Sequence, residues 1–143
     1  MSASPFSGTY RLVSWENRLA SGEVLYPMGD NAKGYISYSA DGFVWVHIMA
    51  DARRNQHHAN PFECTPEEAV ASALSHLSYC GKFEIDGSQI IHHVDICSFP
   101  NWVGTPQVRD WSVTDGQLSL SAKGIPFRGQ TLDAYLIWAP VGT

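Results

Sequence analysis

Apolar and polar residues alternate in short runs along most of the chain, and turn residues separate the runs. Gly8 to Glu16 carries Tyr10, Leu12, Val13 and Trp15, and Gly34 to Ser39 carries Tyr35, Ile36 and Tyr38. Phe43 to Met49 is almost wholly β-branched or aromatic. Gly81 to Ile85, Gln89 to Ser98, Val108 to Val113, Leu118 to Ala122 and Thr131 to Trp138 follow. Runs of this composition, bounded by Gly and Asp, read as strands. Asp41-Gly42, Asp86-Gly87 and Asp115-Gly116 each fall between two runs and predict tight hairpins. One segment has a different period. Thr65-Pro66-Glu67-Glu68 supplies an N-cap, a proline for the first turn and a Glu at the third position. Ala69, Val70, Ala73, Leu74 and Leu77 then follow a helical spacing, which predicts a helix over about 66–80 with Gly81 as its stop.

Eight or nine short antiparallel strands with tight turns predict a sandwich or a closed barrel. Phe43, Trp45, His47 and Met49 share one face of their strand, and Val44, Val46 and Ile48 share the other. With both faces largely apolar, the strand is expected to be covered on both sides. An eight-stranded barrel of this kind can hold one small ligand inside. The helix is then available to cover an outer face or plug a mouth.

Composition sharpens this picture. The 143 residues are expected to form one domain, spanning 1–143. Aromatics reach 12% and charged residues only 16%, an apolar excess suited to a pocket or to a homodimer interface. A net charge of −5 leaves no electrostatic footprint for nucleic acid. No apolar run is long enough to span a bilayer, and the opening MSASPFSGTYR lacks the pattern of a secretory leader. Cys64, Cys80 and Cys97 are an odd number without a CxxC pair, which suits a reducing, cytoplasmic setting and offers no zinc signature.

Laid out in this way, the residues resemble the bacterial and fungal lipocalin-like domain family. Gly8-Thr9-Tyr10-Arg11-Leu12-Val13-Ser14-Trp15-Glu16 is similar to that family's first strand. Gly34-Tyr35-Ile36-Ser37-Tyr38 with Asp41-Gly42 is similar to its second segment, and Tyr79-Cys80-Gly81-Lys82-Phe83 to its Tyr-x-Gly-x-Tyr/Phe stretch. The most distinctive block runs through His92-His93-Val94, Pro100-Asn101-Trp102-Val103-Gly104-Thr105 and Gln107-Val108-Arg109. The resemblance implies an antiparallel β-barrel with an internal pocket. It also implies an association with secondary-metabolite pathways.

Candidate chemistry follows from strand parity. Ile90, His92, Val94 and Ile96 share one face, and Ile91, His93, Asp95 and Cys97 the other. His92 is thus expected in an apolar, buried setting. There it is either a hydrogen-bonded core residue or a general base. His47 has the same two readings if the Phe43/Met49 face points inward. Arg109 alternates with Trp111 and Val113, and a cation on an apolar face either binds an anionic ligand oxygen or closes a barrel end. His93 and Asp95 form either an orienting pair or a solvated stripe. Asp51 to Asn60, with His57 and His58, reads as an exposed loop able to cover a mouth. Tyr35, Trp45, Tyr79, Trp102 and Trp111 are candidates to contact a ligand. Adjacent histidines on a strand point to opposite faces, and no nucleotide loop or serine-nucleophile motif occurs. No metal and no cofactor is therefore expected.

The reading that follows is a barrel binding a small, largely apolar or aromatic molecule. The alternative is a cofactor-independent isomerase, cyclase or dehydratase acting on a polyketide-like or terpenoid substrate. In it His92 or His47 moves a proton and Arg109 or a tyrosine stabilises the oxyanion.

Overall fold

A computed structural model describes residues 4–142. Nine strands form one antiparallel sheet: β1 (Gly8–Leu19), β2 (Val24–Leu25), β3 (Lys33–Tyr38), β4 (Phe43–Met49), β5 (His76–Asp86), β6 (Gln89–Cys97), β7 (Pro106–Thr114), β8 (Gln117–Phe127) and β9 (Gln130–Pro140). From β3 to β9 each strand pairs with the next, and β1 joins β3 on one side and β9 on the other. The sheet thereby closes into an eight-stranded barrel, with β2 as an extra short strand on β1. Closure removes the unpaired edges that would otherwise recruit another chain.

The turn at Asp115-Gly116 has the geometry its residues favour. Thr114 pairs with Gln117 around Asp115-Gly116, whose φ angles are +53° and +77°. Both central residues at positive φ is the hairpin turn that matches strand twist, and Asp-Gly supplies it at low cost.

The helix α1 (Pro66–Leu74) starts where expected. Thr65 accepts from the Glu68 N–H while the Glu68 carboxylate accepts from the Thr65 N–H. It ends at Leu74, six residues before the predicted end at about 80. By His76 the chain is already β5, pairing with Met49 of β4. Leu77, which fitted a helical spacing, is instead an inward position of β5. The short strand expected at Gly81 to Ile85 is the second half of this longer one. Nor does α1 cover a face or plug a mouth: it has no buried residue, and Val70 and Leu74 stay exposed.

The core fills one end of the barrel. Phe6 enters ahead of β1 and packs edge-on against Tyr38 and Trp111, with ring centroids 5.0 and 5.2 Å away. Phe83 packs edge-on against Tyr38 at 4.9 Å and lies 6.3 Å from Phe6, so the three rings touch one another. This aromatic cluster seals that end.

Three bulges decide what faces the interior. The β1–β9 register shifts between Leu12 and Ser14, the β5–β6 register between Cys80 and Gly81, and the β8–β9 register between Ala122 and Ile125. Each adds residues that the partner strand does not match, and so reverses which parity points inward. At β1 the change turns Trp15, Asn17 and Leu19 toward the inside. On β6, Ile90, His92 and Val94 face in as expected, but past the bulge Cys97 is half-buried and Ile96 lies out in solvent. The face shared by His92 is therefore one residue shorter than strict alternation predicts.

On β4 the inward set is Val44, Val46 and Ile48. The opposite face, with Trp45, His47 and Met49, is exposed rather than covered.

Candidate functional site

Beyond the aromatic seal the barrel holds a cavity of about 240 Å³. Its wall is mostly aliphatic: Ile36, Val46, Ile48, Leu77, Leu120, Leu132, Leu136. Half-buried side chains edge it, among them Trp15, Asn17, Trp102 and Phe127. An engineered apolar cavity of about 150 Å³ accepts benzene, so this space suits one substituted ring.

Polar groups enter the wall at few places. His92 on β6 is 1% exposed, and the only charged or polar residue fully buried among the described residues. Both its ring nitrogens are occupied. The Tyr38 hydroxyl lies 2.8 Å from Nε2, and the Tyr79 hydroxyl 2.7 Å from Nδ1. Burial, then the nearby Arg109 and His93 charges, push the His92 pKa down to about 3, so the ring is neutral. Burial pushes the Tyr79 phenol up to about 12, with Arg109 pulling the other way. Tyr38 is raised well above the usual phenol value, first by burial and then by Tyr79 and Tyr10.

Proton counting fixes what this trio presents. A neutral imidazole has one N–H and one lone pair. One phenol therefore donates to the ring, and the other accepts from it and keeps its own O–H free. Tyr38 is 1% exposed, packs against the rings of Phe6 and Phe83 and does not line the cavity, so a free O–H there would be stranded. Tyr79 lines the cavity. The arrangement with less desolvation cost has Tyr38 donating to Nε2 and Nδ1 donating to Tyr79. The Tyr79 O–H is then left for a ligand.

Arg109 comes from β7 into the same wall. Its guanidinium donates to the Val108 carbonyl at 2.9 Å and to Gln107 Oε1 at 3.2 Å. No carboxylate pairs with it among the described residues, and no Asp or Glu lines the cavity. A half-buried cation without an anion leaves donors and positive potential facing the cavity.

Trp102 sits in a short turn (Pro100–Trp102) between β6 and β7, packed edge-on against Tyr79 with centroids 6.0 Å apart. The Trp15 indole donates to Asn17 Oδ1 at 3.3 Å. Trp138 on β9 is buried in the wall, and its Nε1 has no hydrogen-bond partner.

Of the residues picked from the sequence, His92, Arg109, Tyr79 and Trp102 thus meet around one cavity. The others do not. Tyr35 is 60% exposed and Trp45 49%. With His47 they lie on the outer face, because β3 and β4 turn Ile36, Val46 and Ile48 inward. His47 stands beside His76, not His92. Trp111 faces inward but belongs to the aromatic seal, where its indole donates to the Gly87 carbonyl.

His93 pairs with Glu84 at 2.7 Å across the strands rather than with Asp95, which the β6 bulge displaces. The loop expected to act as a lid is instead tied to α1, through Arg53 to Ser75, Gln56 to Ser72 and the His57 N–H to Glu68. None of its residues lines the cavity.

Sequence reasoning missed Tyr38, Trp138 and Trp15. The first two were legible in principle: Tyr38 shares parity with Ile36, and Trp138 with Ala134 and Leu136. Trp15 was not, since a bulge precedes it.

A model of the lipocalin-like domain family matches residues 7–141. The 4'-hydroxy-3'-methoxypropiophenone carrier protein ppsC of Aspergillus oryzae is 33% identical over 75 residues, covering 46% of this chain and 68% of that protein. No solved structure gives a significant match. No helix among the described residues is long and apolar enough to cross a membrane.

Proposed function

This chain belongs to the lipocalin-like domain family, and on that premise we propose that it binds and carries a small, single-ring, largely apolar molecule bearing an acidic oxygen. The observation that carries the reading is an apolar cavity whose wall holds one cation, Arg109, without a carboxylate partner. Aliphatic side chains take the body of the ligand, and the Arg109 guanidinium with the Tyr79 O–H takes its oxygen. A hydroxyphenyl ketone has this chemistry, and the name of the Aspergillus relative points to the same class.

Binding of 4'-hydroxypropiophenone is expected to quench the fluorescence of Trp15, Trp102 and Trp138, which line the cavity, in a saturable way with one site per chain. Arg109→Met keeps the side-chain body and removes the charge. It should weaken binding by about tenfold or more, the worth of a charge-assisted hydrogen bond. Absence of saturable quenching, or an unchanged affinity in Arg109→Met, would remove this reading.

A second reading, proton transfer to and from a bound ketone, is favoured by the Tyr38–His92–Tyr79 chain ending at the cavity. Tyr79 would protonate the carbonyl oxygen as water takes the proton next to it; the His92 Nδ1–H then passes to Tyr79, the Tyr38 O–H passes to Nε2, and the proton on water returns to Tyr38, leaving the enol. Against it, a base is most effective with a pKa near working pH, and His92 is far below. In D2O, catalysed exchange of the protons next to the propiophenone carbonyl would select this reading. Exchange at the protein-free rate would select carriage.

A further inference from the structure

Trp138 on β9 buries a polar atom that nothing in the protein pairs among the described residues. Its side chain is 1% exposed, and its indole Nε1 is the one buried side-chain polar atom without a hydrogen-bond partner among the described residues. Elsewhere the fold provides for such atoms: in the Tyr38–His92–Tyr79 cluster both ring nitrogens and both hydroxyl oxygens have a partner. Native interiors leave few buried donors unpaired, and an exception asks for a reason.

Its place in the sheet explains why the protein itself offers no acceptor. Trp138 pairs in register with Leu12 of β1 and Leu118 of β8, both buried aliphatics. The backbone groups around it are engaged in the barrel ladder. Trp138 is nevertheless one of the residues that line the cavity. An indole N–H can only donate. The surroundings, Leu120 and Leu136 among them, are apolar and uncharged. An anionic oxygen would be drawn to Arg109, two strands away on β7, so the group suited to Trp138 is a neutral acceptor.

We propose that Trp138 is a specificity-determining residue: its buried Nε1–H takes a carbonyl oxygen of the ligand. The ligand class is then a ring compound oxygenated at two separate points, an acidic oxygen at Arg109 and Tyr79 and a ketone at Trp138. This inference rests on the cavity being the binding site.

The test compares propiophenone with propylbenzene, the same skeleton without the carbonyl oxygen. Calorimetry with each compound gives the ratio of their dissociation constants in wild type, Trp138→Phe and Arg109→Met. The preference for propiophenone is expected to fall about tenfold in Trp138→Phe, the scale of one desolvated hydrogen bond, and to persist in Arg109→Met. If Trp138→Phe does not fold, wild-type protein labelled with 15N at tryptophan decides alone. The Trp138 indole proton should move downfield with propiophenone and not with propylbenzene. An unchanged ratio and an unmoved indole signal would overturn the proposal while both compounds still bind, leaving the cavity reading intact. A ratio that collapses only in Arg109→Met would place the carbonyl at the guanidinium and also overturn it. Failure of both compounds to bind wild type would overturn the cavity reading and this inference together.

Discussion

Gly81→Ala is expected to cost the fold more than about 3 kcal/mol, at the severe end of single substitutions. Gly81 sits at the β5–β6 bulge, where Gly81 pairs with Val94 and Asp95 is left over. A Cβ added there would lie 1.7 Å from the His93 carbonyl oxygen and 2.9 Å from its carbon. The neighbour is backbone, held in the barrel ladder, and cannot swing aside like a side-chain tip. The strands must part locally. The residues next to the contact are those that present the cavity: Tyr79 lies two positions before Gly81, and His92 immediately before His93. Urea unfolding followed by circular dichroism would measure the loss. A midpoint implying a change under about 1 kcal/mol would mean that the bulge yields easily and does not hold His92 in place. The same geometry gives a physical reason for the Tyr79-Cys80-Gly81-Lys82-Phe83 stretch. Tyr79 reaches the cavity, Gly81 admits the close strand approach, and Phe83 joins the aromatic seal.

Acid is expected to destabilise the protein through His92. Its folded pKa is depressed from 6.5 to about 3 by burial, with Arg109 and His93 adding to the effect. The unfolded chain therefore takes up a proton as pH falls through 6.5, while the folded chain refuses it until about 3. Between those values the unfolded state binds more protons, so stability is greatest above the window and falls with pH at about 1.4 kcal/mol per unit. From about pH 7 to about pH 5 the expected loss is roughly 2 kcal/mol. His76, also lowered by burial and by Arg53 and His47, acts with the same sign. Glu68 enters later: its carboxylate, held down to about 2 by the Thr65 and His57 backbone N–H groups, gives up its contribution only as pH falls from 4.5.

Replacing His92 with Phe separates these sources. At about pH 7 the variant should be less stable by roughly 2–4 kcal/mol, because the Tyr38 and Tyr79 hydroxyls lose their shared partner. Its stability should then depend much less on pH than the wild type's down to about pH 5. Denaturant unfolding at several pH values checks both. A wild-type stability that is flat over that range would show that His92 is accessible to protons in the folded state.

Much of the architecture was readable because its signals are local. An Asp-Gly pair makes a hairpin wherever flanking runs are β-prone, as Asp115-Gly116 does. Thr65 to Glu68 starts a helix through hydrogen bonds within four residues. The end of that helix was not local. Leu77 satisfies a helical period as well as a strand period, and pairing with Ile48 of β4 decided for the strand.

At the site, the same division holds. His92 and Arg109 were found because each stands among apolar residues of its own parity, and a polar group in such a row needs a purpose. His47 met the same criterion and failed, since alternation says which residues travel together and not which side is inside.

From the sequence alone came the strand-rich chain, its hairpins, the capped helix, the family resemblance and a short set of polar residues bound for apolar faces. Only the tertiary structure decided that β4 turns its valines inward, which puts Trp45 and His47 in solvent. It also decided that bulges at Val13, Asp95 and Lys123-Gly124 reverse the parity that follows them. The physical reason is that a bulge and the inward face of a strand are set by how neighbouring strands twist and close around a shared core, a constraint that spans the whole barrel and leaves no mark on any single run of residues.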